Sequence, residues 1–93
     1  MRLSQAEIES GLASLAGWTS DGQAIDKTFT FDGFPDAIAF IVRLAFAAEA
    51  VDHHPDLTIN YRRVKVSYST HSEGGITEKD VEGARSAERL AAA

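Results

Sequence analysis

The chain has 93 residues, no cysteine and a formal net charge of −5 at pH 7. This length suits one small domain with one core, so we expect a single domain over residues 1–93. Without cysteine, disulfides, thiolate zinc sites and cysteine nucleophiles are excluded. The acidic charge disfavours direct nucleic-acid binding. No apolar segment approaches the roughly 20 residues of a membrane span, and the N-terminal stretch lacks a signal-peptide core, so we expect a cytoplasmic protein without a membrane partner.

The first third of the chain predicts a helix followed by a β-hairpin. Residues 4–7 have the spacing of a capping box, and apolar residues follow at helical intervals, so we expect about three helical turns. Asp21 and Gly22 then lie between two extended runs, which is the strongest short hairpin signal. A two-residue type I′ turn at this place would pair Trp18 with Ile25 across the strands.

The central segment, residues 34–52, is rich in helix formers and apolar around most of its circumference, which predicts a long helix. One apolar stripe is expected to cover a sheet and consists of Phe34, Ile38, Ile41, Ala45 and Ala48. A second stripe lies about a third of a turn away and consists of Phe40, Leu44, Ala47 and Val51. Because so small a domain can hardly bury both, we expect the second stripe or its neighbours to meet another subunit in a homodimer or homotetramer.

The second half predicts two more strands and a last helix. Residues 57–70 carry the strand pattern, with a turn between Tyr61 and Arg63. Thr77 and Asp80 have the spacing of a second capping box at the start of the last helix. The element order is therefore helix, two strands, helix, two strands, helix. This order predicts an α+β fold with helices on one face of a four-stranded antiparallel sheet.

The three histidines, His53, His54 and His71, flank the second strand pair. Pro55 forbids helical backbone at His54, which would place His53 in the last turn of the long helix. Glu49 precedes His53 by four residues, so the carboxylate would lie on the same helical face and orient the imidazole. Antiparallel pairing of the two strands brings their outer ends together. The three rings are therefore expected to converge.

The residues by themselves are compatible with several roles for this cluster. Adjacent histidines at a helix end are commonly solvated surface groups. A metal site is disfavoured, because consecutive side chains diverge and zinc-binding helices present histidines at i, i+4. Asp80 is more often a helix cap than a catalytic group, and Glu49 could be a partner of Arg43 or a solvated charge. Proton transfer is one alternative among these.

The spacing of these residues resembles the signature of the pterin-4a-carbinolamine dehydratase family. That signature is an acid, three residues, His-His-Pro, five residues, an aromatic, nine residues, histidine, eight residues and aspartate. In this chain it falls on Glu49, His53, His54, Pro55, Tyr61, His71 and Asp80. The resemblance runs from about Trp18 to the last helix. It departs at Arg62, where many relatives carry asparagine in the turn.

The resemblance implies a dehydratase that converts 4a-hydroxytetrahydrobiopterin to quinonoid dihydropterin and water, coupled to an aromatic amino-acid hydroxylase. Imidazole can move the two protons involved near neutral pH, and no metal or redox cofactor is implied. By this resemblance His53 and His71 transfer protons and His54 mainly holds the pterin. The implied pterin-binding set is His53, His54, Pro55, Thr70, His71, Ser72 and Glu73. Glu49 would orient His53, and Asp80 would steady the loop that carries His71.

Two further functions stay open. Some animal relatives also act as dimerisation cofactors of a homeodomain transcription factor, so a non-catalytic pterin-binding or dimerisation module is one alternative. A dehydratase-like protein acting on a molybdopterin-related compound is the other, because the signature describes the site and not the pterin side chain. An enzyme is preferred, since an adaptor has no physical need for three histidines and an acid at these spacings.

Overall fold

The structure is a computed structural model that describes residues 1–93. Its elements in chain order are α1 (Gln5–Leu12), β1 (Thr19–Ser20), β2 (Ile25–Thr30), α2 (Phe34–Ala50), β3 (Asp56–Asn60), β4 (Arg63–Tyr68), a 3₁₀ turn (His71–Glu73) and α3 (Glu78–Ala91). The four strands form one antiparallel sheet in the order β1-β2-β4-β3. The predicted α+β fold and element order are confirmed. None of the helices has the length and apolar character needed to cross a membrane.

The core lies between the β2–β4 pair and the helices α2 and α3. The inward residues of the two central strands alternate and are buried; they are Ile25, Phe29, Val64, Val66 and Tyr68. Phe40 and Leu44 of α2 and Ala84 and Ala87 of α3 pack against them without exposed surface. Every second strand residue and the buried stripes of the helices therefore pack together on one face of the sheet.

Lys27 interrupts the inward pattern of β2 and is satisfied by polar partners. Its Nζ donates to the carbonyl of Ala16 at 2.9 Å and to Glu88 Oε2 at 2.7 Å. The indole Nε1 of the buried Trp18 donates to the same Glu88 oxygen at 2.9 Å. This cluster ties the first hairpin to α3.

The first helix is shorter than the predicted three turns. The capping box forms, because Ser4 Oγ accepts from the Glu7 backbone at 3.1 Å and Glu7 Oε1 accepts from the Ser4 backbone at 2.7 Å. The helix nevertheless ends at Leu12, and the N–H of Leu15 bonds the Leu12 carbonyl in a tighter i→i+3 turn. Such a turn keeps the apolar spacing of a helix, so the sequence pattern does not reveal the change.

The first hairpin has a longer loop than predicted. Ser20 pairs with Ile25, so the loop has four residues, 21–24, rather than two. The Asp21 carboxylate accepts the backbone N–H groups of the last two loop residues at 2.8 Å, which lowers the pKa of that carboxyl. The predicted Trp18–Ile25 pair is wrong and Ser20 takes that place, because the hydrogen bonds to the Asp21 carboxylate close a wider loop than a type I′ turn.

The second stripe of α2, expected to meet another subunit, is largely buried within the chain. Phe40 and Leu44 are fully buried, although Val51 is 72% exposed, and the first stripe is only partly buried. The reason is α3: the Arg43 guanidinium donates to the Leu90 carbonyl at 2.9 and 3.2 Å and turns that side of α2 toward α3. The exposed large apolar residues of α2 are Phe34, Ile38, Val42 and Phe46.

The edge strand β3 carries further exposed apolar side chains. Leu57 and Ile59 pair with Val66 and Val64 and so point to the helical face, yet both remain exposed. The turn predicted near residues 61–63 joins β3 to β4 and consists of Tyr61 and Arg62, and Tyr61 has a φ of +56°. The helical face is thus left uncovered at this edge.

Candidate active site

The end of α2 aims His53 away from the helix axis. The helix ends at Ala50, and Asp52 adopts a φ of +52°. The N–H of Asp52 bonds the Glu49 carbonyl and that of His53 bonds the Ala48 carbonyl, both at 3.2 Å, which is a Schellman motif. His53 therefore lies beyond the helix and not in its last turn, and the predicted i, i+4 geometry with Glu49 does not form.

The partner of His53 is Asp80. His53 Nε2 lies 2.6 Å from Asp80 Oδ1, with the His53 side chain 13% exposed and that of Asp80 0%. The imidazole stacks on Tyr68 with ring centroids 5.8 Å apart. Because a carboxylate only accepts hydrogen bonds, Nε2 carries the proton of this bond. His53 Nδ1 has no hydrogen-bond partner, and since no buried side-chain polar atom is unpaired, Nδ1 reaches solvent.

A network of threonines holds the Asp80 carboxylate. Oδ2 accepts from Thr70 Oγ1 and from the backbone N–H of Thr77, both at 2.8 Å. Thr77 Oγ1 lies 2.8 Å from Thr70 Oγ1, which completes the network. Asp80 thus forms the predicted capping box of α3, fixes the residue before His71 and orients His53.

Glu49 bonds His54 instead of His53. Glu49 Oε1 lies 2.8 Å from His54 Nε2, and both side chains are exposed. An ion pair in water adds little stability. The expectation that Glu49 orients His53 is therefore wrong, because the chain turns at Asp52 before His53 is reached.

His71 lies at the end of the sheet that also carries His53. Asp56 pairs with Ser67, and extending this register brings residues 53–55 level with residues 68–70. His71 is exposed and opens the 3₁₀ turn, and no hydrogen bond joins it to the other two histidines.

The remaining predicted site residues, in this loop and before β3, differ in what they contact. Ser72 is exposed, and the Glu73 carboxylate lies 3.0 Å from the N-terminal amine. The Thr70 hydroxyl is occupied by Asp80. Pro55 is half-buried directly before β3. The structure thus joins His53, Asp80 and Thr70 directly and leaves His71 and Ser72 free at the same end of the sheet.

A cavity of about 390 Å³ lies between α2 and α3, with His53 and Tyr68 among its lining residues. We call it the α2–α3 cavity. No group of three histidine, aspartate or glutamate side chains is arranged to hold a metal ion. The His53–Asp80 bond links residues 27 positions apart, so no local sequence pattern could have indicated it.

Fold and site together define a small α+β protein with a histidine–carboxylate pair beside a cavity. A family model described as pterin 4 alpha carbinolamine dehydratase matches residues 1–90. A relative from Roseiflexus sp. (strain RS-1), with the provisional name of a pterin-4-alpha-carbinolamine dehydratase, is 56% identical over 79 residues, 85% of each chain. The chain therefore belongs to the pterin 4 alpha carbinolamine dehydratase family.

Further relatives agree with this assignment. A protein of Thermosynechococcus vestitus with the same provisional name is 49% identical over 90 residues, 97% of this chain and 95% of the relative. The crystal structure of a transcriptional coactivator/pterin dehydratase from Brucella melitensis has a TM-score of 0.93 at 41% identity and covers 98% of this chain and 99% of its own. A pterin dehydratase-like protein described as a RuBisCO assembly factor in the alpha-carboxysome has a TM-score of 0.67 at 20% identity over 80% of this chain and 86% of its own, a likeness of fold alone.

Proposed function

We propose that this protein dehydrates a pterin-4a-carbinolamine to quinonoid dihydropterin and water, with 4a-hydroxytetrahydrobiopterin as the reference substrate. The observation that carries the proposal is the 2.6 Å bond between His53 Nε2 and Asp80 Oδ1. It leaves Nδ1 as the reactive nitrogen of His53 and sets a buried carboxylate beside the imidazolium that forms when Nδ1 takes a proton. Family membership supplies the substrate class.

The proposed reaction moves two protons and breaks one bond. His53 Nδ1 removes the proton from N5 of the pterin, and the N5 electron pair forms the C4a=N5 double bond. The C4a–O bond breaks as His71 delivers a proton to the departing hydroxyl, which leaves as water. Solvent then returns a proton from His53 to His71, so no oxidant or reductant is consumed.

The remaining site residues hold the substrate in this proposal. His54, Ser72 and Glu73 offer exposed polar groups at the same end of the sheet as His53, and Pro55 limits the motion of the backbone beside them. Thr70 acts through Asp80, because its hydroxyl donates to that carboxylate. Their contribution is to binding and orientation.

A dehydration assay with freshly generated carbinolamine tests the proposal. His53→Ala and His71→Ala should each lower kcat by about 10²-fold or more, the usual scale for a general acid or base, while His54→Ala should act mainly on KM. Thr28→Ala, on the exposed face of β2, is the control and keeps the wild-type rate. Wild-type rates in both His53→Ala and His71→Ala would refute the assignment.

A non-catalytic module is the second candidate, and the exposed apolar residues of α2 favour it because they lie outside the proposed site. The same assay separates the two. Pterin binding without any acceleration of dehydration would favour the module.

A further inference from the structure

The α2–α3 cavity is lined by both apolar and charged side chains. Ala47 and Ala48 of α2, Val51 just beyond its end and the Tyr68 ring are the apolar part. The ring fits here because Gly83 has no side chain: a Cβ at this position would lie 2.5 Å from the tyrosine ring. At about 390 Å³ the cavity is within the size range of small-molecule sites.

The cavity wall carries two carboxylates and two cations. The carboxylates, Glu78 and Glu82, share one cation, Arg85, which lies outside the cavity. Lys79 and Arg89 also line it, and neither has a carboxylate partner. In a chain of net charge −5, two free cations at one cavity are suited to an anionic ligand.

The two cations lie toward opposite ends of the cavity wall. Lys79 directly precedes Asp80, the partner of His53, whereas Arg89 follows ten residues later, about 15 Å along the axis of α3. Arg89 Nη2 donates to Ser86 Oγ at 3.0 Å, and since Ser86 is also a wall residue, this bond holds the guanidinium at the cavity. The wall is thus longer than a bicyclic pterin ring placed against His53.

Two polar atoms at the His53 end lack protein partners. The Tyr68 hydroxyl takes part in no hydrogen bond, and because no buried side-chain polar atom is unpaired, this oxygen reaches the open space of the cavity. His53 Nδ1 likewise has no hydrogen-bond partner and is accessible. Both atoms are available to a ligand that enters from the cavity.

We propose that the α2–α3 cavity receives the C6 side chain of the pterin, and that the preferred substrate carries an anionic group, a phosphate or a carboxylate, on that side chain. Arg89 binds the anion, Lys79 adds positive charge nearer to His53, and the apolar lining residues contact the carbon chain between ring and anion. This inference rests on the proposed function for the position of the ring.

The test compares neopterin with neopterin 3′-phosphate, two fluorescent pterins that differ only in the phosphate. Wild-type protein should bind neopterin 3′-phosphate about tenfold more tightly than neopterin. This ratio of Kd values should fall as the salt concentration is raised. Arg89→Met with Lys79→Met should bring the ratio close to one, because the Kd of neopterin 3′-phosphate rises more than that of neopterin. Arg63→Met removes the same charge at an exposed site on β4 and should keep the ratio.

A second variant acts through volume rather than charge. Ala47→Phe, which fills the cavity and leaves both cations in place, should raise the Kd of neopterin 3′-phosphate, with circular dichroism confirming the fold. Equal binding of the two pterins, an unchanged ratio in the double variant, or no binding of either would overturn the inference. Dehydration of neutral and phosphorylated carbinolamines with equal kcat/KM would keep the proposed function and sink the inference. Preferred binding of neopterin 3′-phosphate without dehydration of either carbinolamine would support the anion site and refute the proposed function.

Discussion

At the scale of single residues, Asp80 sets which nitrogen of His53 carries a proton. In Asp80→Asn the amide oxygen keeps the bonds to Thr70 and Thr77, and the NH₂ group takes the place of Oδ1. Nε2 of His53 must then accept, so its proton moves to Nδ1, which can no longer take one from substrate. We expect kcat to fall by about 10²-fold or more with a smaller change in KM.

The tautomer itself is measurable in this variant. Nitrogen-15 chemical shifts of the imidazole should show the protonated nitrogen changing from Nε2 in the wild type to Nδ1 in Asp80→Asn. Asp36→Asn, the same chemical change in the first turn of α2, is the control and should leave kcat intact. An unaltered kcat in Asp80→Asn would show that this aspartate does not position His53 for the reaction.

Tyr68 links stability to alkaline pH. Burial raises the pKa of Tyr68 from 10.0 to about 12, and the charge of Asp80 acts in the same direction. Below pH 10 the hydroxyl is neutral in both folded and unfolded chains, so its contribution is fully present. Between pH 10 and 12 mainly the unfolded chain ionises, so the free energy of unfolding should fall by about 2 kcal/mol over this range.

Paired variants isolate this contribution in urea titrations at several pH values. Tyr68→Phe keeps the ring but has no ionisable hydroxyl, so it should remove this fall. The change breaks no hydrogen bond, because the Tyr68 hydroxyl has no partner. Tyr61→Phe, at the exposed tyrosine of the β3–β4 turn, should leave the fall in place. Parallel curves for the wild type and Tyr68→Phe would contradict the assignment.

At the scale of elements, the cap of α2 carries backbone strain. Asp52 holds a φ of +52°, a region in which a residue with a Cβ costs more than glycine. Asp52→Gly should therefore raise the free energy of unfolding by about 1 kcal/mol, measured by chemical denaturation. Asp56→Gly, in the extended β3, is the matched control and should lower it. A loss of stability in Asp52→Gly would show that the aspartate side chain contributes more than the strain costs.

The features predictable from sequence were the local ones. Both capping boxes, at Ser4 and Thr77, follow from three-residue spacings, and strand and helix order follows from burial period. The partner of His53 depends on the packing of α3 against the end of α2, and the buried stripe of α2 depends on Arg43 reaching Leu90. These are long-range contacts, which a pattern within one helix does not contain.

At the scale of the whole molecule, the uncovered apolar side chains of α2 and β3 are suited to contact with a second copy of the chain. Phe46 is 75% exposed, and Phe34, Leu57 and Ile59 add to the exposed apolar surface. Solvated surfaces of this kind are unfavourable in a monomer, and two-fold association is the commonest way to bury them. We propose a homo-oligomer formed through these residues rather than through the buried Leu44.

Light scattering tests this proposal. Phe46→Lys should shift the protein toward the 10.0 kDa monomer, because a charge would be buried in the contact. Thr28→Lys, on the opposite face of the sheet, should leave the size unchanged. Wild-type protein that is monomeric at micromolar concentration would rule the oligomer out.

The hydrogen bond from Trp18 to Glu88 gives the molecule an internal optical reporter. Trp18 is the only tryptophan, and its indole is buried beside Phe29 and Tyr68 with its N–H bonded to α3. Its emission therefore depends on the docking of the helix that carries both Asp80 and the wall of the α2–α3 cavity. A shift of this emission to longer wavelength would signal that α3 has moved away from the sheet, without any added label.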